Sequence, residues 1–247
     1  MTISETTRIV RVRTAYTPDE VPACVSPSDQ IDVVARCQRW RKAFRGCGVA
    51  YPATVLAIPS AATWVREHGC QVDAHSPQGI AFALATGVPP ARVILHCNGA
   101  TGRTISDAIR VGVGQFIVDG ARSAAMLAAC ADDPQHVVVD VTCNDGDELV
   151  AAAHAAEPLT VTGLYREAEN VEDAVAPMFE CMADARRRRG LLMRRIGVAV
   201  PGRHSGSPEF LAAAICDAVE DGCARFRLPR PAVTVFPDWI ALTHGSA

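Results

Sequence analysis

Short apolar runs alternate with segments of helical periodicity along most of this chain. Eight runs have the length and the Val, Ile and Leu content of buried strands; they cover residues 49–57, 71–75, 92–97, 115–119, 136–142, 159–164, 194–200 and 232–236. Seven segments between them repeat apolar residues at helical spacing, near residues 60–68, 78–86, 104–112, 121–131, 146–156, 170–189 and 208–226. Strands that alternate with helices in this way predict a parallel sheet covered by helices.

Eight strands with seven intervening helices predict a single-domain (β/α)8 barrel of the α/β class. An open, doubly wound sheet is the alternative, but no Gly-x-Gly-x-x-Gly follows the first strand, which weakens a dinucleotide-binding version. We expect the barrel domain to cover residues 28–247, opening with a helix capped by Ser28 or Asp29. Residues 1–27 show little periodicity and are predicted to form an N-terminal extension.

Composition narrows the class of protein. The chain has 247 residues, of which 49% are hydrophobic and 21% charged, so it can bury a large core. Its formal net charge of -3 gives no reason to expect nucleic acid or an anionic membrane as a partner. No apolar run approaches the roughly 20 residues that span a bilayer, and no secretory signal is visible. Ten cysteines without Cys-x-x-Cys spacing predict reduced thiols and a cytoplasmic protein.

Four stretches carry a resemblance to a known family, namely Val49–Pro59, Trp64–Ser76, Gly87–His96 and Ala108–Asp119. They resemble the barrel domain of the pyridoxal-phosphate decarboxylases that act on ornithine, arginine and diaminopimelate. The resemblance extends over about residues 30–240 and implies the same barrel fold. It also implies a decarboxylase in which a lysine of the first strand forms a Schiff base with the cofactor.

That lysine has no counterpart here. Counted back from Asp73, its position is Val55, or Thr54 with a one-residue shift. The only lysine of the chain, Lys42, lies on the helix before the first strand, so we expect it at the amino ends of the strands. Barrel chemistry sits at the opposite, carboxyl ends. We therefore predict that the Schiff-base chemistry and its pyridoxal-phosphate site have been lost.

The C-terminal half departs from the family at other cofactor contacts. Tyr165 stands where the resemblance implies a histidine, and only Gly202 and Gly206 remain near an implied glycine-rich phosphate turn. Phe236 falls in the group that supplies a glutamate and an arginine in the family. The family's second, β-rich domain is expected to be absent, because the chain stops at Ala247. Its absence predicts exposed apolar surface and hence a homo-oligomer or a protein partner.

Polar residues follow most of the predicted strands, at the edge where barrels carry their chemistry. The candidate catalytic residues at this rim are His75, His96, Cys97 and Cys143. A metal site could be built from His75, His96 and His204 with Asp119 or Asp145, but ordinary turns and caps use the same residue types and no metal is predicted. Inert, buried thiols are favoured over nucleophiles for both cysteines.

The loop after the seventh strand is a candidate anion site. It combines backbone N–H groups, a guanidinium and hydroxyls in front of a helix, in the residues Gly202, Arg203, His204, Ser205, Gly206 and Ser207. A phosphate ligand, including pyridoxal phosphate held without a covalent bond, suits this set. The alternative is an ordinary capped loop between strand and helix.

Two functions follow from these observations. The leading hypothesis is a catalytically degenerate member of the decarboxylase-like family, a pseudoenzyme that binds a small anionic metabolite or a protein partner without Schiff-base chemistry. The alternative is a repurposed barrel enzyme, a lyase or hydrolase that uses the rim residues, with or without a metal. Convergence of His75, His96 and an aspartate would favour the enzyme, whereas apolar side chains filling the barrel mouth would oppose it.

Overall fold

Eight parallel strands close into a barrel in the computed structural model, which describes residues 27–143, 146–167, 169–200 and 207–243. The strands are β1 (Gly48–Pro52), β2 (Gln71–Ala74), β3 (Val93–His96), β4 (Gln115–Val118), β5 (Gln135–Asp140), β6 (Leu159–Glu167), β7 (Arg195–Val200) and β8 (Ala232–Pro237). Each strand pairs with the next, and β8 pairs with β1, so no sheet edge is left open. The predicted (β/α)8 barrel is confirmed, and the open sheet is wrong.

Helices cover the outside of the barrel. They are α1 (Pro27–Ala43), α2 (Pro59–Glu67), α3 (Pro77–Ala85), α4 (Gly102–Val111), α5 (Ala121–Cys130), α6 (Gly146–Ala155), α7 (Val171–Arg189), α8 (Pro208–Phe226) and α9 (Trp239–Thr243). Polar side chains begin several of them: Ser76 accepts a hydrogen bond from the backbone N–H of Gly79, and Ser207 accepts one from that of Phe210. These caps satisfy N–H groups that the first helical turn leaves without partners.

The core has two layers, which follow from the alternation of side chains along each strand. Side chains that point inward form a cluster inside the barrel, made by Ala50, Ile94, Ile117, Val138, Tyr165, Ala199 and Phe236. The larger outer layer packs the other faces of the strands against the helices. Gly197 leaves room for the inner aromatic rings, because a Cβ atom there would lie 3.0 Å from both Tyr165 and Phe236.

The first strand is shorter than its apolar run predicts. Residues 49–57 were expected to be extended throughout, but β1 ends at Pro52 and Ala53–Ala57 form a 3-10 helix. Val49, Ala50 and Tyr51 alternate between the two core layers, whereas the buried Val55 and Leu56 both pack into the outer layer. The two positions that match the family lysine, Thr54 and Val55, therefore lie on this turn and not on the strand.

Two further sequence predictions concern the ends of the chain and membranes. Helix α1 begins at Pro27, so Ser28 and Asp29 lie inside the helix and the predicted cap at either residue is wrong. Residues 1–26 lie outside the described part, so the N-terminal extension stays a prediction. Among the described residues, no helix combines the length and the apolar composition that crossing a bilayer requires.

Candidate functional site

The carboxyl ends of the strands bring a set of polar side chains to one end of the barrel. His75 follows β2, His96 ends β3, and Asp140 ends β5. All eight strands are parallel, so these residues share one rim. The structure thus places the candidates His75 and His96 at the expected face.

Asp73, on β2, joins the two histidines. Its Oδ2 lies 3.0 Å from Nε2 of His75, and its Oδ1 lies 2.9 Å from Nε2 of His96. The two imidazole rings stack, with 3.9 Å between their centroids and 16° between their planes. One carboxylate therefore faces two imidazoles, in an arrangement we call the Asp73 cluster (Asp73, His75 and His96).

The Asp73 cluster runs from the interior of the barrel towards solvent. The side chains of Asp73 and His96 are 10% and 7% exposed, whereas that of His75 is 27% exposed. Burial alone would raise the pKa of Asp73, but the neighbouring imidazoles of His96 and His75 outweigh it and hold the pKa below its usual range. Asp73 is thus kept as a carboxylate, and His75 is the member of the cluster that a ligand can reach.

One contact within the Asp73 cluster is incomplete. Although Oδ1 of Asp73 and Nε2 of His96 are 2.9 Å apart, neither atom makes a well-directed hydrogen bond within the described residues. By contrast, the pair formed by Oδ2 of Asp73 and Nε2 of His75 has the geometry of a hydrogen bond. Buried polar atoms nearly always have hydrogen-bond partners in folded proteins, so the unsatisfied pair of Asp73 Oδ1 and His96 Nε2 needs an explanation.

Two aromatic rings pack beside His96 of the Asp73 cluster. The ring of Tyr165 meets that of His96 edge to face at 5.1 Å between centroids, and Phe236 does so at 6.4 Å. Both rings belong to the inner cluster of the barrel, whereas Trp239 and Val55 pack against the outer layer. Of the three apolar side chains Phe236, Trp239 and Val55, only Phe236 lies inside the barrel. The ring of Phe236 packs near that of His96 and leaves His75 partly exposed.

A second polar group lies at the ends of β5 and β6. Oδ1 of Asp140 accepts hydrogen bonds from the backbone N–H and the hydroxyl of Thr142, and that hydroxyl accepts one from the N–H of Glu167. One guanidinium nitrogen of Arg166 donates to the carbonyl of Val141 at 3.0 Å. The Nε of Arg166 is buried and has no hydrogen-bond partner among the described residues. Arg166 therefore brings a cation with unused donor capacity to the rim.

The structure does not bring the candidate cysteines into the Asp73 cluster. Cys97 belongs to the outer core layer, opposite in direction to His96, and burial, followed by the nearby charge of Asp119, raises the pKa of its thiol to about 12. Cys143 is exposed after β5, so the prediction of a buried thiol is wrong for this cysteine. Within the described residues, the group of side chains that could hold a metal contains Asp73, His75 and His96, without Asp119.

The remaining predicted residues fall mainly outside the described part of the chain. This applies to Asp145 and to the anion-loop residues Gly202, Arg203, His204, Ser205 and Gly206. Ser207 is described, and it caps α8. The anion loop consequently stays a prediction.

Both positions that match the family lysine are buried. Val55 is 0% exposed within the outer core, and Thr54 is 3% exposed, with a hydroxyl that has no hydrogen-bond partner in the described residues. Lys42 is exposed in the last turn of α1, where it lines a surface pocket with Glu209 and Ala212. It lies on the outer surface of the barrel, on the helix that precedes β1.

Asp73 is the candidate site residue that the sequence interpretation missed, because it lies inside a short apolar strand and not at a strand end. The signal that could have found it is the spacing Asp73-x-His75. Residues two apart on a strand point to the same face, so an inward His75 requires an inward Asp73.

A closed barrel of eight parallel strands that alternate with helices defines the (β/α)8 class, whose ligand sites lie at the carboxyl ends of the strands. Within this class, residues 30–163, more than half of the chain, match the family described as the pyridoxal binding domain of pyridoxal-dependent decarboxylases. The chain belongs to this family.

Several diaminopimelate decarboxylases are similar in sequence. That of Actinosynnema pretiosum subsp. auranticum is 33% identical over 114 residues, which are 46% of this chain and 26% of that protein. That of Mycobacterium leprae is 32% identical over 133 residues, which are 51% of this chain and 28% of that protein. The matches therefore span between a quarter and a third of these relatives.

Solved decarboxylase structures share the fold. A lysine/ornithine decarboxylase from Vibrio vulnificus superposes with a TM-score of 0.71 at 16% identity, covering 84% of this chain and 61% of that one. The arginine decarboxylase of Paramecium bursaria Chlorella virus gives a TM-score of 0.70 at 16% identity, covering 86% of this chain and 63% of that one. At this level of identity the similarity is one of fold.

Proposed function

We propose that this chain is a decarboxylase-family barrel that works without a lysine Schiff base and binds a small anionic ligand at the carboxyl ends of its strands. The observation that carries the proposal is the position of its only lysine. Lys42 is exposed on α1, while the positions that match the family lysine hold the buried Thr54 and Val55. A Schiff base needs an amine at the barrel mouth, and this chain has no lysine there.

The surroundings of Lys42 support the same conclusion. Lys42 lies in the last turn of α1, on the outer surface of the barrel, where it lines a pocket with Glu209 and Ala212 of α8. The strands therefore separate Lys42 from the side chains inside the barrel, such as Tyr165 and Phe236.

The preference for an anion rests on Arg166, which has a buried Nε without a hydrogen-bond partner among the described residues. Guanidinium groups bind carboxylates and phosphates through paired hydrogen bonds. Helix α8 begins at the same end of the barrel with a capped N-terminus, where the helix dipole favours negative charge.

The test of the first part is a titration of the purified chain with pyridoxal phosphate, followed by borohydride reduction and intact-mass measurement. We expect neither an aldimine absorbance band nor a one-to-one adduct, in the wild type and in Lys42→Arg alike. A stoichiometric adduct that Lys42→Arg abolishes would contradict the proposal and would assign the Schiff base to Lys42.

The test of the second part is thermal unfolding in the presence of inorganic phosphate or pyridoxal phosphate. A ligand that binds only the folded state raises the melting temperature. We expect this rise in the wild type and a smaller one in Arg166→Gln. The matched control is Arg110→Gln, which removes an exposed arginine in the last turn of α4. Equal rises in all three proteins, or none, would contradict an anion site at Arg166.

A repurposed enzyme is the second candidate, and the convergence of Asp73, His75 and His96 favours it. A carboxylate that orients an imidazole prepares it for proton transfer, an effect worth about 10²–10⁴-fold in rate. Turnover of small carboxylates or phosphate esters should then fall at least about 100-fold in His75→Gln. Turnover that His75→Gln leaves unchanged would exclude the Asp73 cluster as its source.

A further inference from the structure

Two buried atoms face one another in the Asp73 cluster without satisfying each other. They are Oδ1 of Asp73 and Nε2 of His96, which lie 2.9 Å apart and have no well-directed hydrogen bond in the described residues. Both side chains are about nine-tenths buried. Unsatisfied buried polar atoms in a folded protein commonly mark the place of a bound water or ion.

The chemistry of the atoms points to an ion. Two imidazole nitrogens and a carboxylate oxygen, from His75, His96 and Asp73, lie within 4.8 Å of one another. This donor set is one that zinc uses in proteins, and three protein ligands are typical of catalytic zinc sites, which keep a fourth position open. We propose that the Asp73 cluster binds a divalent transition-metal ion, with Zn²⁺ as the best match to its ligands.

The spacing of the ligand atoms is close to what coordination requires. Tetrahedral zinc with bonds of about 2.0–2.1 Å places its ligand atoms about 3.3 Å apart. The two carboxylate–imidazole distances are 2.9 and 3.0 Å and run to different oxygens of Asp73, so these side chains must shift slightly to share one ion.

The ring orientations must change. An imidazole nitrogen binds a metal in the plane of its ring, whereas the rings of His75 and His96 are stacked 3.9 Å apart with planes 16° from parallel. His96 is enclosed by Tyr165 and Phe236, but the side chain of His75 is 27% exposed. Metal binding therefore turns the ring of His75 and ends the stacking.

The proposed ion deepens the second candidate function and is consistent with the first. A divalent cation with one carboxylate and two neutral imidazoles carries a net charge of +1, so the open position would attract an anionic ligand or a water molecule. Bound water on zinc is acidic enough to act as a nucleophile near neutral pH. The metal site is tested by binding alone, so its outcome does not depend on whether the chain turns over a substrate.

The first experiment uses the whole chain, freed of metal with a chelator, then titrated with Co²⁺ and Zn²⁺. Cobalt reports its ligands through visible absorption, and thiolate ligands add an intense charge-transfer band. We expect one ion per chain with the spectrum of nitrogen and oxygen ligands. The chain also contains ten cysteines, which could bind the ion elsewhere. Either a lack of binding or a spectrum with thiolate ligands would therefore overturn the proposal.

Variants assign the site. His75→Gln removes the partly exposed ligand, and we expect the affinity for Zn²⁺ to fall at least about tenfold, the loss that even supporting residues of metal sites cause. His96→Gln should do the same. The matched control is His136→Gln, which changes an exposed histidine of β5 lining a cavity of about 170 Å³ at the opposite end of the barrel.

Folding is checked separately, because His96 is buried. Each variant is compared with the wild type by circular dichroism and thermal unfolding before metal is added. His75 is partly exposed, so His75→Gln is the variant that disturbs the core least. If it binds Zn²⁺ as tightly as the wild type and as His136→Gln, the proposal is overturned. The Asp73 cluster would then be a hydrogen-bonded arrangement of carboxylate and imidazoles.

Discussion

The ring of Tyr165 meets the ring of Phe236 edge to face inside the barrel, with 5.1 Å between their centroids. Both rings also turn towards His96. The pair packs beside His96 inside the barrel, so aromatic rings border the Asp73 cluster. Edge-to-face pairs add about 0.5–1.5 kcal/mol beyond the burial of their surface.

Removal of one ring of this pair should destabilise the fold. Phe236 is 4% exposed, and Phe236→Ala should lower the free energy of unfolding by about 3–5 kcal/mol, because truncation leaves a cavity. Chemical denaturation measures the change. Phe210→Ala is the control, because that side chain is 65% exposed, and its effect should stay within about 0.5 kcal/mol. Similar losses for both variants would contradict the packing of Phe236.

Gly163 is required by the contact between β6 and β7. A Cβ atom at Gly163 would lie 2.2 Å from the backbone carbonyl oxygen of Arg195, and backbone atoms cannot move aside as a flexible side chain can. Gly163→Ala should therefore destabilise the fold by about 1–3 kcal/mol or more in a denaturation experiment. Gly102→Ala, in the first turn of α4, meets its nearest atoms at 3.9 Å and should be neutral or stabilising. Equal effects of the two substitutions would show that the strands are spaced differently.

The pair of Glu209 and Arg39 predicts a pH dependence. Hydrogen bonds from Arg39 lower the pKa of Glu209 from 4.5 to about 2. A lowered carboxyl pKa stabilises the folded state above pH 4.5, and this contribution disappears as the pH falls from 4.5 to about 2. The side chains are 43% and 53% exposed, so the contribution stays below about 1 kcal/mol.

Denaturation of wild type and Glu209→Gln between pH 2 and pH 7 measures this effect. The two proteins should differ at pH 7 and converge near pH 2. Arg39→Gln should reproduce the loss, and the double variant should add nothing further, as expected for residues that act as a pair. A difference that persists at pH 2 would assign the effect of Glu209 to another interaction.

The candidate cysteines should differ in reactivity. Cys143 is exposed, whereas Cys97 is buried with a thiol pKa raised to about 12. The thiolate is the reactive form, so iodoacetamide should label Cys143 in the native protein well before Cys97. Peptide mass spectrometry after timed labelling measures both rates, and labelling in denaturant provides the reference. Equal native rates would place Cys97 at the surface.

The sequence predicted the architecture because buried parallel strands and amphipathic helices leave different patterns. Helix α8, for example, was expected at residues 208–226 and is found at Pro208–Phe226. Strand β6 extends to Glu167, beyond the expected end at residue 164, because Tyr165, Arg166 and Glu167 continue the ladder with β7. Hydrophobicity marks the buried part of a strand, whereas its pairing also includes polar residues at the rim.

The candidate site was predicted in part. His75 and His96 follow from their positions at strand ends, but their partner Asp73 lies within β2 and becomes apparent only when the barrel closes. The change from strand to 3-10 helix within Val49–Ala57 could not be predicted, for a different reason. A continuous apolar run does not distinguish a strand from a buried helical turn, and the turn begins after Pro52.

The pairing of β8 with β1 bears on whether the segment that matches the family can fold alone. Residues 30–163, the segment that matches the family, contain β1 to β5 and stop inside β6. Produced alone, this segment would expose the side of β1 that Thr234 and Val235 normally cover, and an unfinished edge at β6. Open edges recruit other strands, so such a fragment should aggregate. The unit that sequence similarity detects is therefore smaller than the unit that folds.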